Sequence, residues 1–147
     1  QIWSEKISGP QQLEYMLLPK LLGFAERAWA QTPKWITENN PEKADEFYQK
    51  DWNSFVNTLS QIDLQRLDHY AGGFKYRIPT AGAKVENGNV LANLQLPGFS
   101  IKYTINGTEP NMNSKTYSSP ISSKGIIKLK VFNNNGRSGR TVEVENP

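Results

Sequence analysis

The chain has no cysteine and a single histidine among its 147 residues. The first absence excludes disulfides, thiol nucleophiles and Cys-based zinc or iron–sulfur sites, and the second leaves no histidine cluster to bind a metal. Most cofactor chemistry goes with them, and no metal or other cofactor is expected. Long hydrophobic runs are also missing: the most apolar stretch, Tyr15 to Leu22, is interrupted by Pro19 and Lys20, well short of the roughly 18–20 apolar residues of a membrane span. Membrane insertion is not expected. An initiator Met is absent too, so the lack of a signal-like segment carries no information about compartment.

Charge is present but uneven. Residues 1–75 carry eight Lys/Arg against ten Asp/Glu, while residues 76–147 carry nine against four. This asymmetry suggests two domains of different character. The basic residues of the second half stand singly at alternating positions, as the solvated face of a sheet requires, so nucleic acid is not an expected partner. Aromatic content is ample, with four Trp, six Tyr and six Phe to fill cores.

From Pro10 to Gln31, Leu13, Leu17, Leu21, Phe24 and Ala28 recur at helical spacing, and Met16, Leu18, Leu22, Ala25 and Trp29 widen the stripe. Such a helix needs cover on more than one side. Pro19 removes a backbone hydrogen bond, which predicts a kink or break near Leu18. Asn40-Pro41-Glu42 combines a capping side chain, Pro at the first helical position and an acid in the first turn, so a second helix begins there. Its expected stripe is Tyr48, Trp52, Phe55, Leu59 and Ile62. A short helical piece, Leu64 to Tyr70, then ends at Gly72-Gly73.

Beyond Gly73 the period falls to two. Ile101, Tyr103 and Ile105, then Ile127, Leu129 and Val131, then Val142 and Val144 alternate with polar residues. Asn87-Gly88, Asn106-Gly107 and Asn135-Gly136 supply turn signals, and a small antiparallel sandwich is expected.

Few residues suggest chemistry. Trp3 and Glu5 lie two apart, on one side of an extended piece at residues 1–5, and pair an aromatic face with a carboxylate, the combination that recognises a sugar ring. The alternative is an amphipathic edge strand. Glu26 and Arg27 read as structural charges. Asp51, Asp63, Asp68 and His69 form no triad. Tyr103, Asn106 and Tyr117 form either a shallow sugar platform or ordinary strand and turn positions, and the structural reading is the simpler one. Asn106-Gly107-Thr108 also matches a glycosylation acceptor pattern of low specificity.

The segment QIWSEKISGPQQLEYMLLPKLLGFAERAWA resembles the end of the catalytic barrel of glycoside hydrolase family 20, the β-N-acetylhexosaminidases. There a Trp-x-Glu strand end leads into a Pro-Arg-Leu…Ala-Glu-x-x-Trp helix. The matching positions are Trp3, Glu5, Pro19, Lys20, Leu21, Ala25, Glu26 and Trp29, with Lys20 in place of the usual Arg. LDHYAGGFKYRIPTAGAKVENGNV resembles the family's Gly-x-x-Tyr-Arg-x-Pro exit segment, and IKYTINGTEPN…SKTY…PI resembles the small C-terminal β-domain of bacterial members.

The resemblance implies an α+β chain: residues 1–76 as the helical C-terminal remnant of a (β/α)8 barrel, and residues 77–147 as a small immunoglobulin-like antiparallel β-sandwich. It implies the C-terminal portion of an exo-acting enzyme that removes terminal N-acetylglucosamine or N-acetylgalactosamine by substrate-assisted retaining hydrolysis. Trp3 would wall the sugar pocket and Glu5 would bind a 4- or 6-hydroxyl. The family's catalytic Asp-Glu pair is not expected in this chain, whose one Asp-Glu dipeptide, Asp45-Glu46, falls in a helix. The chain alone is thus expected to be inactive and to partner either the catalytic part of the same protein or a second copy through its exposed helix face. Family habit suggests a secreted, periplasmic or surface-attached bacterial protein. The rival reading is a non-catalytic carbohydrate-binding or structural module.

Overall fold

A computed structural model describes residues 4–147. The chain divides into two compact units, Gln1–Arg77 and Ile78–Pro147. The first is helical and the second is built of antiparallel sheets, so the chain is α+β.

In the helical unit, a 3-10 turn at Ser4–Lys6 precedes α1 (Pro10–Leu17), α2 (Lys20–Trp29), the single turn α3 (Lys34–Thr37), α4 (Pro41–Thr58) and α5 (Leu64–His69). The expected extended piece at residues 1–5 is corrected over its described part. Ser4 and Glu5 lie in the turn, because no neighbouring strand among the described residues of this unit is there to pair with them.

The long first helix breaks where Pro19 predicts. Leu18 is extended, its N–H closes the last turn of α1 on Glu14 O at 2.8 Å, and α2 restarts at Lys20. The start of α4 is as its sequence suggests, with Asn40 Oδ1 accepting from Lys43 N at 3.0 Å and Pro41 at the first position.

The end of α4 departs from the expected stripe. Leu59–Asp63 forms a π turn, and the wider turn advances the phase of the side chains. Leu59 is buried as the stripe predicts and Leu64 is buried beyond it, whereas Ile62, assigned to the stripe, is exposed in the turn; Tyr48, also assigned to it, is exposed earlier in α4. Ser60, buried in the same turn, returns its hydroxyl proton to Val56 O.

The chain then leaves α5 through Tyr70–Gly72. At Gly73 φ is +92°, and a Cβ would stand 2.8 Å from Asp68 O, so glycine is the residue this turn accepts. Residues beyond it strap across α1. Lys75 N donates to Glu14 Oε2 at 2.7 Å and Arg77 N to Leu18 O at 3.0 Å, while the Arg77 guanidinium lies 5.2 Å from the Tyr15 ring centre. Tyr76 is fully buried, and its hydroxyl donates to Asp68 Oδ2 at 3.0 Å.

The second unit contains β1 (Gly82–Glu86), β2 (Asn89–Asn93), β3 (Ser100–Thr104), β4 (Lys115–Thr116), β5 (Gly125–Phe132) and β6 (Val142–Asn146). β1 and β2 form a hairpin around Asn87 (φ +50°) and Gly88 (φ +71°), the two positive dihedrals a two-residue turn needs. The other four strands form one sheet in the order β4-β3-β5-β6, all antiparallel. A bridge between Val90 and Ile121 ties the hairpin to the loop before β5.

The core follows the period of two. Ile127, Leu129 and Val131 on β5 are completely buried, as is Val90, with Ile101 and Ile121 beside them. Ile105, expected to continue the pattern of β3, lies beyond the strand end and is exposed.

Candidate functional site

Of the two residues proposed to meet a sugar, Trp3 lies outside the described residues. Glu5 sits in the turn Ser4–Lys6, exposed, and among the described residues it takes part in no ion pair or hydrogen bond. The link from this turn into α1 is defined by local bonds: Ser8 N and Oγ both donate to Gln12 Oε1, at 2.7 and 2.8 Å, and Gly9 takes φ +95° before Pro10. An exposed carboxylate on such a turn accepts hydrogen bonds from hydroxyl groups. By itself it cannot divide the tasks of acid and base that glycoside hydrolysis requires.

The other acidic candidates do not assemble. Asp45 and Glu46 are exposed in the first half of α4, and Glu26, Arg27, Asp51 and His69 are exposed as well. Asp68 is committed to the Tyr76 hydroxyl. Among the described residues no group of His, Asp or Glu converges as metal ligands would, and no helix is long and apolar enough to cross a membrane. An open groove lined by Gln61, Ile62, Gln65, Arg66, His69 and Tyr70 flanks the π turn; nothing in its sequence announced it, because it depends on that turn's geometry.

The trio Tyr103, Asn106 and Tyr117 serves the β-fold. Tyr103 pairs with Leu129 across the sheet. Tyr117 N donates to Ile101 O at 2.8 Å, and its hydroxyl accepts from Ala92 N at 3.0 Å. Asn106 Oδ1 accepts from Thr108 N at 3.2 Å and from Thr108 Oγ1 at 2.7 Å, which closes the turn after β3.

One electrostatic cluster was not foreseen. Glu109 accepts from Thr141 Oγ1 at 2.6 Å and from Lys128 Nζ at 3.1 Å, with Lys130 Nζ at 3.7 Å, and Lys128 also lies 3.8 Å from Glu143. The Thr141 hydroxyl and then the Lys128 ammonium hold the Glu109 carboxyl below its ordinary value, and Glu109 in turn raises the Lys128 ammonium. Residues 109, 128 and 141 come together only because β5 places its polar face beside the two loops. Sequence alternation marks Lys128 as solvent-facing but says nothing of its partner.

A helical unit is followed in this chain by a small antiparallel β unit. The model of the chitobiase/beta-hexosaminidase C-terminal domain matches residues 63–141. The chain belongs to that family, and so to the C-terminal part of glycoside hydrolase family 20 that its motifs resemble. Two relatives make the likeness particular. The N,N'-diacetylchitobiase of Vibrio harveyi is 32% identical over 145 residues, covering 85% of this chain and 16% of that protein. The beta-hexosaminidase of Vibrio vulnificus is 30% identical over 160 residues, covering 97% of this chain and 18% of that protein. The chain thus spans about a sixth of the length of the curated relatives it matches.

Proposed function

We propose that the chain is the C-terminal portion of an exo-acting β-N-acetylhexosaminidase, with residues 1–76 closing a (β/α)8 barrel and residues 77–147 forming an accessory immunoglobulin-like β-domain. The observation that carries this reading is the similarity of nearly the whole chain to two glycosidases several times its length. Further support is the apolar surface of α1 and α2, where Leu13, Met16, Leu21, Phe24 and Trp29 are exposed, as expected of a helix pair that packs under further barrel elements.

In this reading Trp3 walls the pocket around a terminal N-acetylhexosamine, and Glu5 accepts hydrogen bonds from its 4- or 6-hydroxyl. The acetamido oxygen of the sugar bonds to the anomeric carbon as the glycosidic oxygen leaves with a proton from an acid on an earlier barrel strand. Water then attacks the same carbon, so configuration is retained. Glu5 anchors the sugar against this displacement and takes no proton from it.

The test uses the longer gene product that includes the coding sequence upstream of Gln1, assayed with a chromogenic N-acetylglucosaminide. Glu5→Gln is expected to lower kcat/KM by about tenfold to a hundredfold, the size of losing a charged hydrogen bond of roughly 1.5–3 kcal/mol. The 147-residue chain by itself is expected to give no turnover. Turnover by the chain alone, or an unchanged kcat/KM in Glu5→Gln, overturns the reading.

A further inference from the structure

Three Asn-Gly pairs punctuate the β unit, and each is the sequence in which a backbone nitrogen can most easily reach a side-chain amide, because glycine adds no Cβ to block the approach. Their surroundings differ. Asn135-Gly136 is pinned: Asn135 N donates to Asn133 Oδ1 at 3.1 Å and Gly136 N to Asn133 O at 3.1 Å, so the nitrogen that would attack is already engaged. Asn87-Gly88 is confined within a two-residue turn closed by the Glu86–Asn89 pair, and Gly88 O is held by Asn146 Nδ2 at 2.8 Å.

Asn106-Gly107 stands apart. Like Asn87-Gly88 it is exposed, and among the described residues no bond occupies the glycine nitrogen of either pair; what sets Asn106 apart is the hydrogen bonding of its side-chain amide. Two donors already rest on Asn106 Oδ1, the N–H and the hydroxyl of Thr108. Oδ1 is the atom on which negative charge develops when a nucleophile adds to the amide carbon, so Thr108 forms a small oxyanion hole aimed at the side chain of its own turn.

From this geometry we infer that Asn106 is a self-modification site, converted to aspartate and isoaspartate faster than Asn87 or Asn135. The Gly107 nitrogen loses its proton and bonds to Asn106 Cγ, with Thr108 stabilising the oxyanion. The Cγ–Nδ2 bond then breaks, and Nδ2 leaves as ammonia carrying the proton. Solvent water hydrolyses the resulting cyclic imide at either carbonyl, giving aspartate or isoaspartate. No oxidant or further reactant is needed.

The product matters locally. Thr108 O accepts from Thr104 Oγ1, and the next residue, Glu109, holds Lys128 and Thr141. Isoaspartate lengthens the backbone just before this tie, and either product adds a negative charge to a loop already carrying Glu109. The loop between β3 and β4 is therefore the part of the β unit that changes with age.

The experiment incubates the full chain at mildly alkaline pH and follows all three sites in the same samples by peptide mapping with isoaspartate detection. Asn106 is expected to convert several-fold faster than the other two. Thr108→Val, which removes the hydroxyl donor, is expected to slow Asn106 alone by several-fold, and Thr108→Ser to keep the original rate. In the urea-unfolded chain the three rates should converge. Faster conversion at Asn87 or Asn135 in the folded chain, an unchanged rate in Thr108→Val, or a ranking that survives in urea overturns the inference. The two untouched sites report whether each variant remains folded.

Discussion

The helical unit and the β unit are nearly equal in length and solve the problem of burial differently. In the β unit, strand alternation sends Ile101, Ile127, Leu129 and Val131 to one side, and these side chains are sealed. In the helical unit, Leu18, Val56, Leu59, Leu64 and Tyr76 are buried, while Leu13, Leu21, Phe24 and Trp29 stay in contact with solvent, Trp29 at 89%. A helix apolar on most sides cannot cover itself, whereas a sheet needs cover on one face only. The β unit seals its apolar strand face, whereas the helical unit seals one cluster, with the strap from Gly73 to Arg77 laid across α1, and leaves the rest of its apolar surface open.

That contrast breaks if a sealed leucine of the β unit and an open one of the helical unit respond alike to truncation. Leu129→Ala is expected to cost about 2–5 kcal/mol, the range for buried leucine, and Leu21→Ala within about 0.5 kcal/mol, as at an exposed position. Urea denaturation of the two variants checks both. Equal losses would mean that Leu21 is covered in solution.

Dependence on turn geometry is sharpened by Gly73→Ala. Its positive φ and the 2.8 Å approach to Asp68 O predict a loss of about 1–3 kcal/mol, read as a lower midpoint for loss of helical circular dichroism. Asn40→Ala, which removes the acceptor for Lys43 N, should cost about 1 kcal/mol by the same measurement.

The smallest effect belongs to the surface of the β unit. The Glu109 carboxyl is held below its ordinary 4.5, so its contribution is complete above that value and fades as pH falls through the lower folded value. Lys128 is raised above 10.5, so its contribution is complete below that value and fades as pH rises through the higher folded one. Glu109→Gln should flatten the acid limb of the stability profile and leave the neutral plateau almost unchanged, since exposed pairs contribute little. Stability measured by urea titration from neutral to acid pH is the check.

Much of this was legible in sequence because it is local. The break at Leu18, the cap at Asn40, the glycine turn at Gly73 and the burial of Ile127, Leu129 and Val131 each depend on a few consecutive residues, where dihedral limits and side-chain period act directly. The candidate sugar contact was legible only as a pattern, Trp-x-Glu. Of it the structure describes Glu5, exposed in a turn where a strand end was expected.

What tertiary structure alone decided lies at long separation. The π turn at Leu59–Asp63 buries Leu64 and exposes Ile62, although either fits a helical stripe. Tyr76 finds Asp68 and Arg77 finds Tyr15 because the chain doubles back after Gly73. Glu109, Lys128 and Thr141 meet because sheet registry sets which solvent-facing side chains become neighbours. Period and propensity fix which way a side chain faces along its own element; only packing fixes what it faces.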